Sequence, residues 1–320
     1  MRLAIFGTGS FGVPSLEALY GTSHTVTALI TQVPTDAHSR RPAQVPEIVR
    51  LAERQGTPIF RFADVKSPEA LACFKTLDAD LFFVCDYGQI LSPEGIATAK
   101  FGGINLHGSL LPKYRGAAPV QWAILNGDTE TGVTVIHITP TVDAGPMLAA
   151  EKTPIFPDET HPELESRLAK LGVKHVLAAV EHFASGGVSS EKTGILQDPA
   201  LACKAPKIKK SQAEIHWESS AAEIRNKIRA FDAWPRAFTS WTREGKPPLR
   251  LILQAVPEIL DTADDALPGT VLEVGETLII KTGTGALAFR GVQPSGKKMM
   301  SIPEFARGYG LKPGERFTAE

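Results

Sequence analysis

The sequence offers little sulfur chemistry. Its 320 residues hold three cysteines, Cys73, Cys85 and Cys203, an odd number in no disulfide or zinc spacing. A reducing compartment suits such a chain. Long apolar runs are also missing, and a dense one such as Leu81–Cys85 is far too short to span a bilayer. The first predicted strand starts almost at Met1, which leaves no room for a signal peptide, so the cytoplasm is expected. Charge bias is slight, with 34 Lys+Arg against 35 Asp+Glu, and there is no internal repeat or low-complexity run. One further absence, a carboxylate missing from one strand end, decides between two functions.

Near the start the chain reads Ile5-Phe6-Gly7-Thr8-Gly9-Ser10-Phe11-Gly12, which fits the G-x-G-x-x-G dinucleotide fingerprint. An apolar run leads in and a helix-like stretch leads out, so this is a strand–turn–helix. With 28 glycines in the chain the match alone is weak. An NAD site also needs an Asp or Glu about 20 residues on, at the end of the second strand. Here that strand ends Leu29-Ile30-Thr31-Gln32, and the nearest carboxylate, Asp36, lies beyond it in a Pro-containing stretch. The plainer reading is a tight β–α turn in a fold whose ligand sits elsewhere.

The first half alternates short apolar strands with helix-length segments. Predicted strands are 2–6, 25–30, 58–60, 81–85 and 103–107, with helices at 46–54 and 117–126. That alternation predicts a Rossmann-like α/β fold, a doubly wound and mostly parallel sheet. Strands at 132–139 and 147–155 and a helix over 162–185 follow. A small all-β unit, read as a barrel, is expected after a helix at 220–231, with strands at 238–241, 250–256, 269–274, 277–282 and 286–292. Between the halves a polar stretch carries Lys204, Lys207, Lys209 and Lys210. The expected layout is a catalytic domain over 1–189, a basic linker over 190–210 and a C-terminal β-barrel domain over 211–320. Residues 205–320 hold 17 Lys+Arg against 14 Asp+Glu, a weak hint of an anionic partner. The lysines read equally well as solvated linker charges or as phosphate contacts.

Residues 103–122 carry the chemistry. The predicted strand ends Asn105-Leu106-His107, and residues two apart on a strand share a face. They stand at the carboxyl end of a parallel strand, where open α/β sheets bind ligands. An amide beside an imidazole suits a reaction that makes an oxyanion and moves a proton. The loop that follows mixes glycine, proline and the apolar pair Leu110-Leu111, a setting able to grip a flat heteroaromatic ring. About thirty residues on, Val142-Asp143-Ala144-Gly145 puts a carboxylate on a loop between two strands. Asn105, His107 and Asp143 together would suit acyl transfer to an amine. His137 reads as a strand histidine in a local hydrogen bond and not as a metal ligand, since no second ligand stands at metal spacing. Trp217, Trp234 and Trp241 read as core residues, with RNA stacking the lesser reading.

The stretch INLHGSLLPKYRGAAPVQWAI followed by ETGVTVIHITPTVDAG closely resembles the 10-formyltetrahydrofolate-dependent formyltransferases. CDYGQIL resembles the family's tyrosine-glycine loop. IRAFDAWP, the Lys-rich linker before AEIHW and the late QPSGKKMM resemble the branch whose acceptor is methionine on initiator methionyl-tRNA. The resemblance covers nearly the whole chain. It implies a Rossmann-like catalytic domain, a C-terminal OB-like barrel, and Asn105, His107 and Asp143 as catalytic positions. It implies that Ser109, Leu110, Leu111 and Pro112, with Tyr87 and Gly88 nearby, line a 10-formyltetrahydrofolate site, and that no metal and no NAD take part. It also implies tRNA contacts by Lys204, Lys207, Lys209 and Lys210, with Arg40 and Arg41 in a segment shorter and less basic than the family's fuller pattern. A cytoplasmic monomer is expected. Three rivals stand beside this reading: formylation of an amino-sugar nucleotide or other small amine, a nicotinamide oxidoreductase, and a non-catalytic RNA-binding protein.

Overall fold

The computed structural model describes residues 1–33, 45–186, 193–254 and 256–319. The chain forms two compact units. One comprises Met1–Pro119, Glu130–Pro154 and Glu165–Pro206; the other comprises Val120–Thr129, Ile155–Leu164 and Lys207–Glu320. Among the described residues no helix is long and apolar enough to cross a membrane.

The first unit is built on β1 (Arg2–Gly7), β2 (Thr25–Gln32), β3 (Ile59–Phe62), β4 (Leu81–Cys85), β5 (Gly103–His107), β6 (Glu130–His137) and β7 (Met147–Pro154). They lie in one sheet in the order β3-β2-β1-β4-β5-β6-β7. The first five run parallel; β6 pairs antiparallel with β5, and β7 antiparallel with β6. β1 and β4 are covered on both faces, which is why they read as unbroken apolar runs rather than alternating ones. The connections carry α1 (Val13–Tyr20), α2 (Glu47–Arg54), α3 (Pro68–Thr76), α4 (Pro93–Ile96) and α5 (Pro119–Leu125), and α6 (His161–Ala184) follows β7. α3 and α4 start where a serine precedes a proline: Ser67 Oγ and Ser92 Oγ each accept the amide three residues on. One side of the core is aromatic, with Phe6 edge-on to Phe74 and Tyr87 at 5.3 and 5.4 Å. α6 comes close to β5 because Gly172 stands against Leu106; a Cβ there would lie 2.6 Å from a Leu106 methyl.

The fingerprint turn is explained by its neighbours. A Cβ at Gly7 would lie 2.7 Å from Ile48 Cδ1, and one at Gly12 3.2 Å from Cys85 Cβ, so both glycines serve close packing. The middle glycine is different. A Cβ at Gly9 would fall on the carboxylate of Asp86, whose carbonyl also accepts from Thr8 N at 3.0 Å. In a dinucleotide fold that glycine lets the pyrophosphate approach. Here a carboxylate fills the place, and it would repel one. Gln32, where an NAD site wants an acid, instead donates from Nε2 to Tyr87 O at 2.5 Å.

The second unit contains α7 (Ala221–Ala230), which opens on a reciprocal Ser220–Glu223 cap. Its strands are β8 (Phe238–Arg243), β9 (Lys246–Leu253), β10 (Glu258–Leu260), β11 (Val271–Val274), β12 (Leu278–Lys281), β13 (Ala286–Phe289), β14 (Gly291–Pro294), β15 (Met300–Ser301) and β16 (Phe317–Thr318), with α8 (Ile302–Tyr309) before the last. They form two antiparallel sheets, β10-β13-β12-β11 and β15-β14-β9-β8-β16. The single strand expected over 286–292 is two strands in different sheets, separated at Arg290, whose amide donates to Gln254 Oε1. Trp217 and Trp241 lie in this unit's core with Phe289, Phe305 and Phe317, and Trp217 Nε1 donates to Thr239 Oγ1 at 2.9 Å. Trp234 is 43% exposed.

Candidate active site

Asn105 and His107 emerge on one face of β5. His107 is 6% exposed, and its ring is held by a hydrogen bond between Nε2 and the Tyr114 carbonyl at 2.9 Å. A carbonyl only accepts, so Nε2 carries a proton and the neutral tautomer leaves Nδ1 bare. Nδ1 faces Asp143 Oδ2 at 3.7 Å. Asn105 Nδ2 donates to Asp143 Oδ1 at 3.4 Å. The carboxylate also accepts from Gly116 N at 2.9 Å. Asp143, some forty residues further along the chain, thus meets the Asn105 and His107 side chains.

The route by which Asp143 arrives is less obvious. Since β6 runs antiparallel to β5, with Thr134 opposite His107 and His137 opposite Ile104, its exit lies at the amino end of β5. The loop must double back over the sheet face to reach His107. It does so with Asp143 at φ +52°, a left-handed posture, and with Gly145 so close to His137 O that a side chain has no room.

The loop after β5 is fixed mostly from inside. Ser109 is buried and its Oγ donates to Lys113 O at 2.6 Å; Thr134 Oγ1 donates to Ser109 O and accepts from Leu111 N. Leu111 is buried, while Leu110 and Pro112 are half-buried, Leu110 lying against Gly132. Gly116, at φ +128°, sits over Ala205, whose carbonyl would lie 2.5 Å from a Cβ. The Tyr87 side chain points into the aromatic core, where burial pushes its hydroxyl up to about 12; Gly88 is exposed at φ +76°. Two exposed apolar side chains that sequence reasoning did not single out stand on the same two loops: Ile90, 50% exposed, just past Gly88, and Val142, beside Asp143.

His137 is buried with its ring edge-on to Phe183 at 5.6 Å, and burial lowers its pKa. Among the described residues no group of three or more His, Cys, Asp or Glu is arranged to hold a metal ion. Lys204, Lys207, Lys209 and Lys210 are all exposed, while Ala205 and Ile208 between them are buried. Arg40 and Arg41 lie outside the described residues. Sequence reasoning missed Arg115 and Gln197, which bond to each other at 2.7 and 3.0 Å beside the Asp143 loop. Gln197 gave no signal because its partners lie far away in sequence.

Two family models match the chain: formyl transferase over residues 1–180, and formyl transferase, C-terminal domain, over residues 207–310. Among curated relatives, the methionyl-tRNA formyltransferase of Rhodopirellula baltica is 43% identical over all of this chain and 97% of its own length. That of Methylococcus capsulatus is 39% identical over 97% of this chain and 98% of its own. Among solved structures, the N-formyltransferase from Helicobacter canadensis, in complex with folinic acid and dTDP-3-aminofucose, matches 90% of this chain with TM-score 0.63 at 18% identity, over 99% of its own length. HypX from Aquifex aeolicus in complex with tetrahydrofolic acid matches 95% of this chain with TM-score 0.60 at 18% identity, and the match spans 46% of HypX.

Proposed function

The chain belongs to the formyl transferase family, and we propose that it transfers the formyl group of 10-formyltetrahydrofolate to the α-amino group of methionine on initiator methionyl-tRNA, for translation initiation. The observation that carries this reading is likeness along the entire chain, both domains included, to relatives named for that activity. The cluster of Asn105, His107 and Asp143 supplies the chemistry it needs.

The folate brings a formyl carbon bonded to its N10 nitrogen, which is the leaving group. The residues present fit it. Asn105 Nδ2 and His107 Nδ1 stand 3.4 and 3.7 Å from the Asp143 carboxylate, looser than settled hydrogen bonds, so both can turn to an oxygen between them. Asn105 donates to the formyl oxygen as negative charge gathers there. His107, held through Nε2, donates from Nδ1 when protonated, with the Asp143 carboxylate 3.7 Å away. Asp143 takes the proton that the amine sheds as its nitrogen bonds to the formyl carbon, directly or through one water. The bond from the formyl carbon to N10 breaks, and N10 leaves with the proton that Asp143 has taken up, which returns the carboxylate to its starting state.

In this reading Ser109, Leu110, Leu111, Pro112, Tyr87 and Gly88 form the wall of the folate site. Ser109, Leu111 and Tyr87 contribute main chain, because their side chains are buried; Leu110 and Pro112, with Ile90 and Val142, contribute apolar surface. Residues 1–189 are the catalytic domain, 190–210 a basic linker and 211–320 the tRNA-binding domain. Lys204, Lys207, Lys209 and Lys210, with Arg40 and Arg41, contact tRNA phosphates. The C-terminal domain is an OB-like barrel. Supporting that is the passage from β13 to β14, where one run of chain changes sheets across a single residue, as strands do at barrel corners. The protein acts as a monomer in the cytoplasm.

The test is formyl transfer from 10-formyltetrahydrofolate to methionine-charged initiator tRNA, with charged elongator tRNA and free methionine as controls. Transfer confined to the initiator is expected. Transfer to an amino-sugar nucleotide, and to no tRNA, would replace the acceptor and keep the chemistry.

A further inference from the structure

Asp143 holds a left-handed backbone that a residue with a Cβ rarely adopts, on a loop that doubles back over its own sheet. The brace comes from outside that loop. Gln197, 8% exposed, donates from Nε2 to both Asp143 O and Gly145 O, at 2.8 Å each. Its Oε1 accepts from Arg115 Nε at 3.0 Å and Nη2 at 2.7 Å. The amide has no freedom to flip, since reversal would set its NH2 against the guanidinium and its oxygen against two carbonyls.

The residue after Arg115 closes the circuit. Gly116 N donates to Asp143 Oδ2 at 2.9 Å. Gln197 therefore grips the main chain of Asp143 directly, and through Arg115 it steadies the amide that grips the Asp143 carboxylate. Main-chain bonds on either side anchor the strap that carries it. Ile195 exchanges two hydrogen bonds with Met147, at 2.8 and 2.9 Å. Further on, Arg115 N donates to Cys203 O at 2.9 Å and Ala205 N to Arg115 O at 2.7 Å.

We propose that Gln197 is a positioning residue for formyl transfer, which acts through Asp143 and touches neither folate nor methionine. This rests on the functional reading above. With Gln197 removed, the Asp143 carbonyl loses its donor, the left-handed turn loosens, and the carboxylate leaves the place from which it addresses His107 and the amine. Displacement of about 1 Å in such a group costs on the order of 10²-fold in rate.

The experiment is single-turnover and steady-state formyl transfer by the full chain, comparing wild type, Gln197→Leu, Asp143→Asn and the double variant. Gln197→Leu is expected to lower kcat by about 10- to 100-fold while KM for each substrate stays within about threefold. In the Asp143→Asn background the same substitution should change the rate by less than about threefold, because the group being positioned is already disabled. An equal loss in both backgrounds overturns the proposal, as does a Gln197→Leu enzyme within about threefold of wild type. So does a raised KM for tRNA with kcat retained, which would mark an RNA contact. If Gln197→Leu fails to fold, Gln197→Glu carries the same test, since it keeps the acceptor for Arg115 and loses both donated bonds. No transfer by the wild type would overturn the functional reading and this role with it. Transfer by the wild type without the expected loss overturns the role alone.

Discussion

Replacing Glu165 with Gln should stabilise the protein, and only as pH rises. Glu165 lies on α6, where burial first, and the charge of Asp86 second, push its carboxyl from 4.5 up to about 7. Below pH 4.5 the group is protonated whether the chain is folded or not, and it costs nothing. Between 4.5 and 7 the unfolded chain releases the proton while the folded one keeps it, so stability falls. Above 7 the full penalty applies. A shift of about 2.5 units at about 1.4 kcal/mol per unit gives about 3.5 kcal/mol. Gln has the same shape and no proton to lose.

The assay is urea unfolding of wild type and Glu165→Gln at pH 5 and pH 8. The variant's advantage should be under about 1 kcal/mol at pH 5 and approach about 3.5 kcal/mol at pH 8, or roughly 7 to 14 °C in melting temperature. Asp86→Asn should move stability in the same direction, since the Asp86 carboxyl is itself raised by desolvation and its charge helps to raise Glu165. An offset between the curves that stays constant from pH 5 to pH 8, or a variant less stable at pH 8, would refute the reasoning.

Other outcomes follow from the same geometry. Asn105→Ala should lower the single-turnover rate on the order of 10²- to 10³-fold, and His107→Ala or Asp143→Ala by roughly 10²- to 10⁴-fold, with melting temperatures unchanged; a near-normal rate removes that residue from the scheme. Gly9→Ala should destabilise by no more than about 1 kcal/mol, because the new methyl meets only the carboxylate end of the exposed Asp86 side chain, which can swing aside, and by clearly less in an Asp86→Ala background; equal costs in urea unfolding would show that Asp86 is not the obstacle. If the exposed lysines contact phosphates, tRNA affinity should fall steeply with salt, and each of Lys204→Ala, Lys207→Ala, Lys209→Ala and Lys210→Ala should flatten the log–log slope by about 0.7 to 0.9. A flat wild-type response contradicts the contact.

Much of this was legible in the residues, for local reasons. β1 and β4 announced themselves as short apolar runs because both faces of the sheet are covered there. The Asn-x-His pair carried its shared face in its spacing. What escaped was long-range or ambiguous. The run 286–292 reads as one strand because nothing in its hydrophobicity marks Arg290, where the chain changes sheets. α8 went unnoticed although Ser301, Pro303 and Glu304 spell a helix start, realised as a reciprocal Ser301–Glu304 cap. The polar stretch around Gln197 reads as a linker because its bonds go to main-chain carbonyls more than fifty residues away, which leave no trace in composition or period.

The lost fingerprint and the late brace belong to one problem. In an open parallel sheet the natural crevice lies where strand order reverses, between β1 and β4. Here Thr8 N holds Asp86 O, the Asp86 carboxylate lies over Gly9, and Gln32 ties down Tyr87 O, so that crevice is filled by the protein itself. The proposed site lies one strand along, at β5, whose partner β6 is antiparallel. A parallel neighbour would have delivered its following loop to the carboxyl end of β5 with no detour. An antiparallel one delivers it to the wrong end, and the carboxylate must be carried back across the sheet face. That return requires the left-handed Asp143 and a Gly145 with no room for a side chain. The loop's own turn bond, Ala144 N to Thr141 O at 3.3 Å, is long. Two strong bonds from Gln197, on a strap that reaches the loop only after α6, supply what the loop lacks. The Asp143 carboxylate is therefore placed as much by chain that arrives late in the sequence as by the loop on which it stands.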